Sequence, residues 1–199
     1  MFNQSHHTLL KAFGFACFSF VLFNACNGQA SLSQKEEAYY LALGDSIAKE
    51  AQSAFLQNVA SAIKTGGPAY AVDFCNTHAL QITDSLAQLH HVSLQRKSDK
   101  NRNPENALET ETDRQAWERV RSGKSHFVQK DDKGVIYYYK PISIAMPACL
   151  TCHGRKDEIA PEVRKAIAEK YPHDKAFDYQ MGDLRGMWKM ELPARSVDK

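Results

Sequence analysis

Apolar side chains recur at helical spacing through the first half of the chain. Between residues 31 and 64 they return every three or four positions, and no proline interrupts them, which predicts a long helix. Gly66, Gly67 and Pro68 end this helix. Pro68 suits the first turn of a second helix running to about Leu89. We therefore expect two antiparallel helices.

The second of these helices has one apolar face, and that face carries a cysteine. Its members are spaced by three, four and seven residues: Ala71, Phe74, Cys75, Ile82, Leu86 and Leu89. This spacing is typical of the buried stripe of an amphipathic helix. We expect Cys75 to point toward the core.

After residue 91 the pattern changes to short β-branched and aromatic runs. These predict strands at 92–95 and 186–192, a hairpin of 125–130 with 135–144, a loop at 99–112, and helices at 114–121 and 161–171. Pro147 stops the second hairpin strand, so the segment after it is expected to be a loop. Helices followed by an antiparallel sheet predict an α+β domain. A four-helix cytochrome is the alternative fold.

The N-terminus has the pattern of an export signal. Lys11 precedes an almost continuous apolar run at 12–23, which is too short to span a bilayer. Cleavage before Cys26 makes residues 1–25 a lipoprotein signal and puts a lipid on Cys26. Cleavage after Ala30 instead releases a soluble domain, 31–199. We favour the lipoprotein, and in either case expect export to the periplasm.

Composition narrows the choice of partner. The chain has 199 residues, 43% hydrophobic and 24% charged, with a net charge of +2, as in an ordinary globular protein. So small a charge gives no reason to expect a nucleic-acid partner. The partner is expected to be a small molecule or another protein, and the oligomeric state is left open.

The cysteines carry the most specific chemistry in the sequence. Cys149, Cys152 and His153 form a CxxCH motif, in which two thiols attach one haem c covalently and the histidine binds its iron. A zinc site would need a second ligand pair at similar spacing, and a thioredoxin-like pair would follow a strand of a βαβ unit. The sequence has neither pattern.

The CxxCH motif does not identify the second residue that binds the iron. The candidates are Cys75, Met146, Met181, Met187, Met190, His78, His90, His91, His126 and His173. Cys75 differs from the others because it faces the core and has no partner for a disulfide in an oxidising compartment. A buried free thiol that only fills space is the alternative.

An ordered series of motifs spans nearly the whole mature chain. It comprises Ala71 and Cys75, Ser98, Arg102-Asn103-Pro104 and Asn106, Cys149 to Gly154, Tyr171-Pro172 with Asp174 and Ala176, and Gly182 to Gly186. This series resembles the family of exported bacterial monohaem c-type proteins with a PAS-like haem domain, which also occurs as the sensor domain of histidine kinases and chemoreceptors. The resemblance implies N-terminal helices on a PAS-like sheet.

The resemblance also implies roles for individual residues. It assigns Cys75 as an axial thiolate opposite His153, and it maps the Arg-Asn-Pro segment of the family onto Arg102, Asn103 and Pro104. On physical grounds, an arginine at position 102 can pair bidentately with a haem propionate. A solvated loop arginine is the alternative for Arg102, and Arg185 and Lys97 are further candidates for the propionate contact.

Three functions are compatible with such a site. The first is a redox or gas sensor, in which a diatomic ligand or a redox change displaces one axial ligand and a partner protein receives the signal. The second is a low-potential periplasmic electron carrier that meets a redox partner protein. The third is an enzyme such as a peroxidase, which requires an open distal site; we do not expect it, because no acid–base constellation in the sequence can be placed near the iron.

Overall fold

Helices and strands alternate irregularly along the chain in the computed structural model. The structure describes residue 1 and residues 31–194. The elements are α1 (Gln34–His90), β1 (Ser93–Lys97), a short 3-10 helix (Pro104–Asn106), α2 (Glu111–Arg121), β2 (Phe127–Lys130), β3 (Ile136–Ser143), α3 (Pro147–His153), α4 (Pro161–Lys170) and β4 (Leu184–Leu192). The export signal and its lipidation site, Cys26, lie outside the described residues.

Helix α1 is a hairpin of two legs. A capping box starts it, in which Ser33 and Glu36 satisfy each other's backbone N–H groups. Gly67 breaks the helix with φ 80° and ψ 178°, a conformation that is essentially restricted to glycine. The legs fold back on each other, since His90 Nε2 lies 2.8 Å from Glu50 Oε2. The predicted pair of antiparallel helices is confirmed.

The four strands form one antiparallel sheet in the order β1-β4-β3-β2. Alternate residues on a strand face opposite sides, and each side is covered by a helix. On one side Tyr138 and Trp188 pack against α1, together with Leu94. On the other side Tyr139 and Met187 pack against α2. Helix α4 packs away from the sheet, against the second leg of α1.

The α+β prediction is therefore confirmed, and the four-helix alternative is not the observed fold. The prediction for the segment after Pro147 is wrong. It is helix α3 rather than a loop, because proline is compatible with the first turn of a helix as well as with the end of a strand. Leu89 is also not part of the buried face, being 65% exposed in the last turn of α1. Within residues 31–194, no helix is both long and apolar enough to cross a membrane.

Candidate functional site

One cavity collects the residues that the sequence singled out. It lies between the two legs of α1, one end of the sheet and helix α3. Cys75, Arg102, Cys149, Cys152 and His153 all line it. Cys75 lies more than 70 positions before the CxxCH motif, so only the fold brings these side chains together.

Helix α3 presents both cysteines of the motif to the cavity. Cys149 and Cys152 are three residues apart on a helix and so share one face. Cys149 packs against the cluster of Ile144 and Ala176, and Cys152 packs against the cluster around Val163. Both thiols are free, as is that of Cys75. The two thiols are held in place without being consumed by a disulfide.

His153 follows as the last residue of α3, and its ring is fixed by the backbone. Its Nδ1 lies 2.9 Å from the carbonyl oxygen of Ala176. A carbonyl can only accept, so Nδ1 carries the proton and Nε2 keeps its lone pair. Burial lowers the pKa of His153 well below its ordinary value, and the charges of Arg185 and Arg102 lower it further. A neutral imidazole with a fixed tautomer is the form that binds a metal.

The end of α3 is also tied to the segment that follows α4. The backbone N–H of Tyr179 donates to the carbonyl of His153 at 3.0 Å, and that of Asp178 donates to the carbonyl of Gly154 at 2.9 Å. The ring of Tyr179 stands perpendicular to the imidazole, with centroids 6.2 Å apart. These contacts make the position of His153 rigid.

Arg102 holds the same two segments together from the other side. Its Nε donates to Asp174 Oδ2 at 3.1 Å, and its Nη2 donates to the carbonyl oxygens of Cys152 at 2.7 Å and Ala176 at 3.2 Å. Three of the five N–H donors of an arginine are thereby used. Arg102 is not a solvated loop residue, since its side chain is 11% exposed. Its contact with a propionate stays a prediction.

Cys75 enters the cavity from the second leg of α1. Burial raises the pKa of its thiol to about 11, while the nearby charge of Arg96 acts in the opposite direction. A cysteine in this position stays protonated unless a metal or another cation stabilises its thiolate.

The other candidates for the second ligand lie elsewhere. Met187 and Met190 are fully buried in the two sheet cores, and Met146 and Met181 are exposed. None of the remaining candidates lines the cavity: His78, His90, His91, His126 and His173. Cys75 is thus the one residue of the predicted set that lines the same cavity as His153.

Comparison with known proteins assigns the chain to a family. The family model described as Tll0287-like matches residues 29–193. The chain belongs to the Tll0287-like family. The crystal structure of the cyanobacterial haem protein Tll0287 is similar, with a TM-score of 0.62 and 26% sequence identity, and the match covers 78% of this chain and 95% of that chain. Comparison with curated proteins found no match.

One charged residue that lines the cavity of this Tll0287-like chain is not among the site residues that the sequence predicts. Arg96 lines the cavity from β1, whereas the predicted strand stopped at residue 95. The signal was present, because Arg96 lies two positions after the buried Leu94 and so shares its face of the strand. An arginine on the core side of a strand is a departure from the usual pattern, and the fold shows that it meets a cavity.

Proposed function

We propose that this chain is a monohaem c-type protein that works as a redox or gas sensor. Cys149 and Cys152 would attach the haem, and His153 and Cys75 would bind its iron from opposite sides. The observation that supports this best is that all four side chains line one cavity. The haem protein Tll0287 has a similar fold, which adds support for haem as the occupant.

The donor set fits this cofactor. Two free thiols one helical turn apart can form two thioethers to one ring, and His153 offers a neutral Nε2. When bound, the haem supplies an iron that changes oxidation state and accepts axial ligands. The protein's residues bind and orient it, and the apolar side chains of α1 that line the cavity, such as Phe55, Leu56 and Val59, exclude water.

The two proposed axial residues differ in how firmly they are held, which favours a sensor. His153 is fixed by the hydrogen bonds of α3 to residues 176–179. Cys75 belongs to the second leg of α1, which joins the first leg through the non-helical Gly67. Loss of the Cys75 bond would remove one contact between this leg and the site, which would let the leg shift against α4, on which it packs, while His153 stays in place. A leg that moves between two positions gives a PAS-like module a signal that a partner protein can read.

The proposal extends to the cellular location. A periplasmic protein meets the enzymes that attach c-type haem outside the cytoplasm. A lipid on Cys26 would hold the domain at the membrane, near a membrane-bound partner. Intact mass of the purified chain distinguishes a lipid-modified Cys26 from a free terminus at Ser31.

The first test is the spectrum of the purified holoprotein beside two variants. We expect electron paramagnetic resonance to show a low-spin thiolate signal in the parent, and Cys75→Ala to abolish it. Thr77→Ala is the matched control, because Thr77 is an exposed residue on the same leg, and it should leave the signal unchanged. A preparation without covalent haem would refute the proposal, and an unchanged Cys75→Ala spectrum would remove Cys75 from the iron.

A second test separates the sensor from an electron carrier. Hydrogen exchange over residues 68–90 is measured in the ferric protein, after reduction, and with nitric oxide added. A sensor that releases Cys75 should exchange faster in this leg in at least one of the last two states. Equal exchange in all three states would instead favour a carrier, because a carrier keeps both ligands during turnover.

A further inference from the structure

The charges around the cavity are unbalanced. Among the described residues that line it, four are cationic, Arg96, Lys97, Arg102 and Arg185, and none is aspartate or glutamate. Charged groups withdrawn from water need partners of opposite sign. The protein itself supplies carboxylate partners for only some of these four cations.

Two of the four have a carboxylate partner in the chain. Lys97 Nζ lies 3.1 Å from Glu109 Oε2, and Arg102 Nη2 lies 3.1 Å from Asp174 Oδ2. Both partners approach from outside the cavity lining. These two cations leave no excess charge for an occupant of the cavity.

Arg96 and Arg185 have no carboxylate partner among residues 31–194. The guanidinium of Arg96 lies over the ring of Phe55, 4.4 Å from its centroid. Arg185 donates through Nη1 to the carbonyl of Lys100 at 3.3 Å and to Ser98 Oγ at 3.4 Å. The Nε atom of each arginine is buried and has no hydrogen-bond partner in the described chain. Neither arginine has a carboxylate within ion-pair distance in the described chain, although the more distant charge of Asp174 acts favourably on Arg185.

The charge of Arg185 also acts on Arg96. They stand on the neighbouring strands β1 and β4, and Arg96 is paired in register with Trp188, three residues after Arg185. Burial lowers the pKa of Arg96 to about 10. The side chain of Cys75 acts in the opposite direction, and the charge of Arg185 lowers the pKa of Arg96 further. An occupant with two negative charges would remove this repulsion.

We infer that Arg96 and Arg185 are the carboxylate-binding residues of the cavity, and that they hold the two propionate groups of the haem. This inference rests on the proposed function, because it takes haem as the occupant, and it adds which residues bind its polar edge. Two guanidinium groups without a carboxylate at ion-pair distance match the two carboxylates of the ring in number and sign. Guanidinium also suits a carboxylate geometrically, since it can donate two parallel N–H bonds.

The experiment compares haemin with haemin dimethyl ester, in which both propionates are esterified and uncharged. The full mature chain carries Cys149→Ser and Cys152→Ser, so that either compound binds reversibly. Charge-assisted hydrogen bonds to both carboxylates should make haemin bind about tenfold to a hundredfold more tightly than the ester. Arg96→Gln and Arg185→Gln should each reduce this ratio, and the double variant should bring it close to one.

Two further variants keep the result interpretable. Arg96→Lys retains the charge and should restore part of the ratio. Arg155→Gln removes an exposed arginine paired with Asp157 outside the cavity and should leave the ratio unchanged. Circular dichroism reports whether each variant is folded. If the double variant does not fold, the ratio of haemin to ester affinity in the parent and in the two single variants still tests the inference.

The outcomes separate the inference from the proposed function. If neither haemin nor its ester binds to the folded parent, the proposed function fails. If haemin binds but has no advantage over the ester, or keeps its full advantage in Arg96→Gln and Arg185→Gln, the inference alone is wrong. If Arg96→Gln leaves the ratio of haemin to ester affinity unchanged but abolishes the thiolate signal of the holoprotein, Arg96 stabilises the Cys75 thiolate and does not bind a propionate.

Discussion

At the scale of single residues, the arginines show how burial decides the role of one side chain. Arg102 and its partner Asp174 are almost completely enclosed, with side chains 11% and 3% exposed. Arg155 makes a similar pair with Asp157, but both side chains are more than 60% exposed. Water competes for an exposed pair and not for a buried one. The same residue type is therefore a structural clamp at position 102 and a solvated group at position 155.

Replacing Arg102 by glutamine should destabilise the fold. The change leaves the Asp174 carboxylate buried without its cation and removes the bonds to the carbonyls of Cys152 and Ala176. Breaking a buried ion pair lowers the free energy of unfolding by on the order of 3 kcal/mol. Urea denaturation of the variant and the parent measures this difference. Arg155→Gln is the matched control and should change little. If Arg102→Gln with Asp174→Asn is as unstable as Arg102→Gln alone, the buried carboxylate is not the cause.

At the scale of elements, α1 approaches the sheet more closely than an ordinary helix can. Gly44 is buried on the first leg, and a Cβ atom built there would lie 2.3 Å from the ring of Tyr138. The hydroxyl of the same tyrosine donates to Asp45 at 2.5 Å, so the ring is held from both ends. The missing side chain of one glycine sets the distance between α1 and β3.

Gly44→Ala should therefore destabilise the protein, against the usual trend for helices. In an exposed helix, replacing glycine by alanine stabilises by about 1 kcal/mol. Here overpacking against Tyr138 should reverse the sign and lower the free energy of unfolding by about 1–3 kcal/mol. Thermal and urea denaturation measure it, and Tyr138→Leu in the same background should recover part of the loss. A stabilised Gly44→Ala would mean that the helix can move away at no cost.

At the scale of the whole molecule, polar contacts join layers that apolar packing brings together. Asp113 is the third residue of α2 and closes its capping box with Thr110. Its Oδ1 also accepts from Lys189 Nζ on β4, at 2.6 Å. Burial alone would raise the pKa of Asp113, but the hydrogen bonds from Lys189 and Thr110 outweigh burial and lower it. The ionised carboxylate thus fastens α2 to the sheet.

This coupling predicts how stability depends on pH. Because the pKa of Asp113 is lower in the folded state than its ordinary 3.8, its contribution is complete above that pH and is lost as the pH falls through the folded value. Asp113→Asn should be less stable than the parent at neutral pH, and the gap should narrow at about pH 3. Urea denaturation at both pH values measures it, and the exposed Asp84→Asn is the control. A gap that is constant with pH would assign the loss to packing rather than to charge.

The sequence by itself determined the elements that depend on neighbouring residues. The two legs of α1, the hairpin of β2 and β3, and helix α4 follow from local spacing and from turn residues such as Gly67 and Gly134, and all of these are observed. The CxxCH motif is another local pattern, and from it the sequence predicts covalent haem attachment. Such features are predictable because they rest on contacts a few positions apart.

Only the tertiary structure decided what lies opposite that motif. The sequence predicts a loop where helix α3 forms, because Pro147 is compatible with either state and seven residues are too few for a helical pattern. The meeting of Cys75 and His153 in one cavity, the buried ion pair of Arg102 and the position of Arg96 beside that cavity all depend on contacts between distant parts of the chain. Local periodicity shows which face of an element is buried, but the packing of α1 on the sheet determines what that face meets.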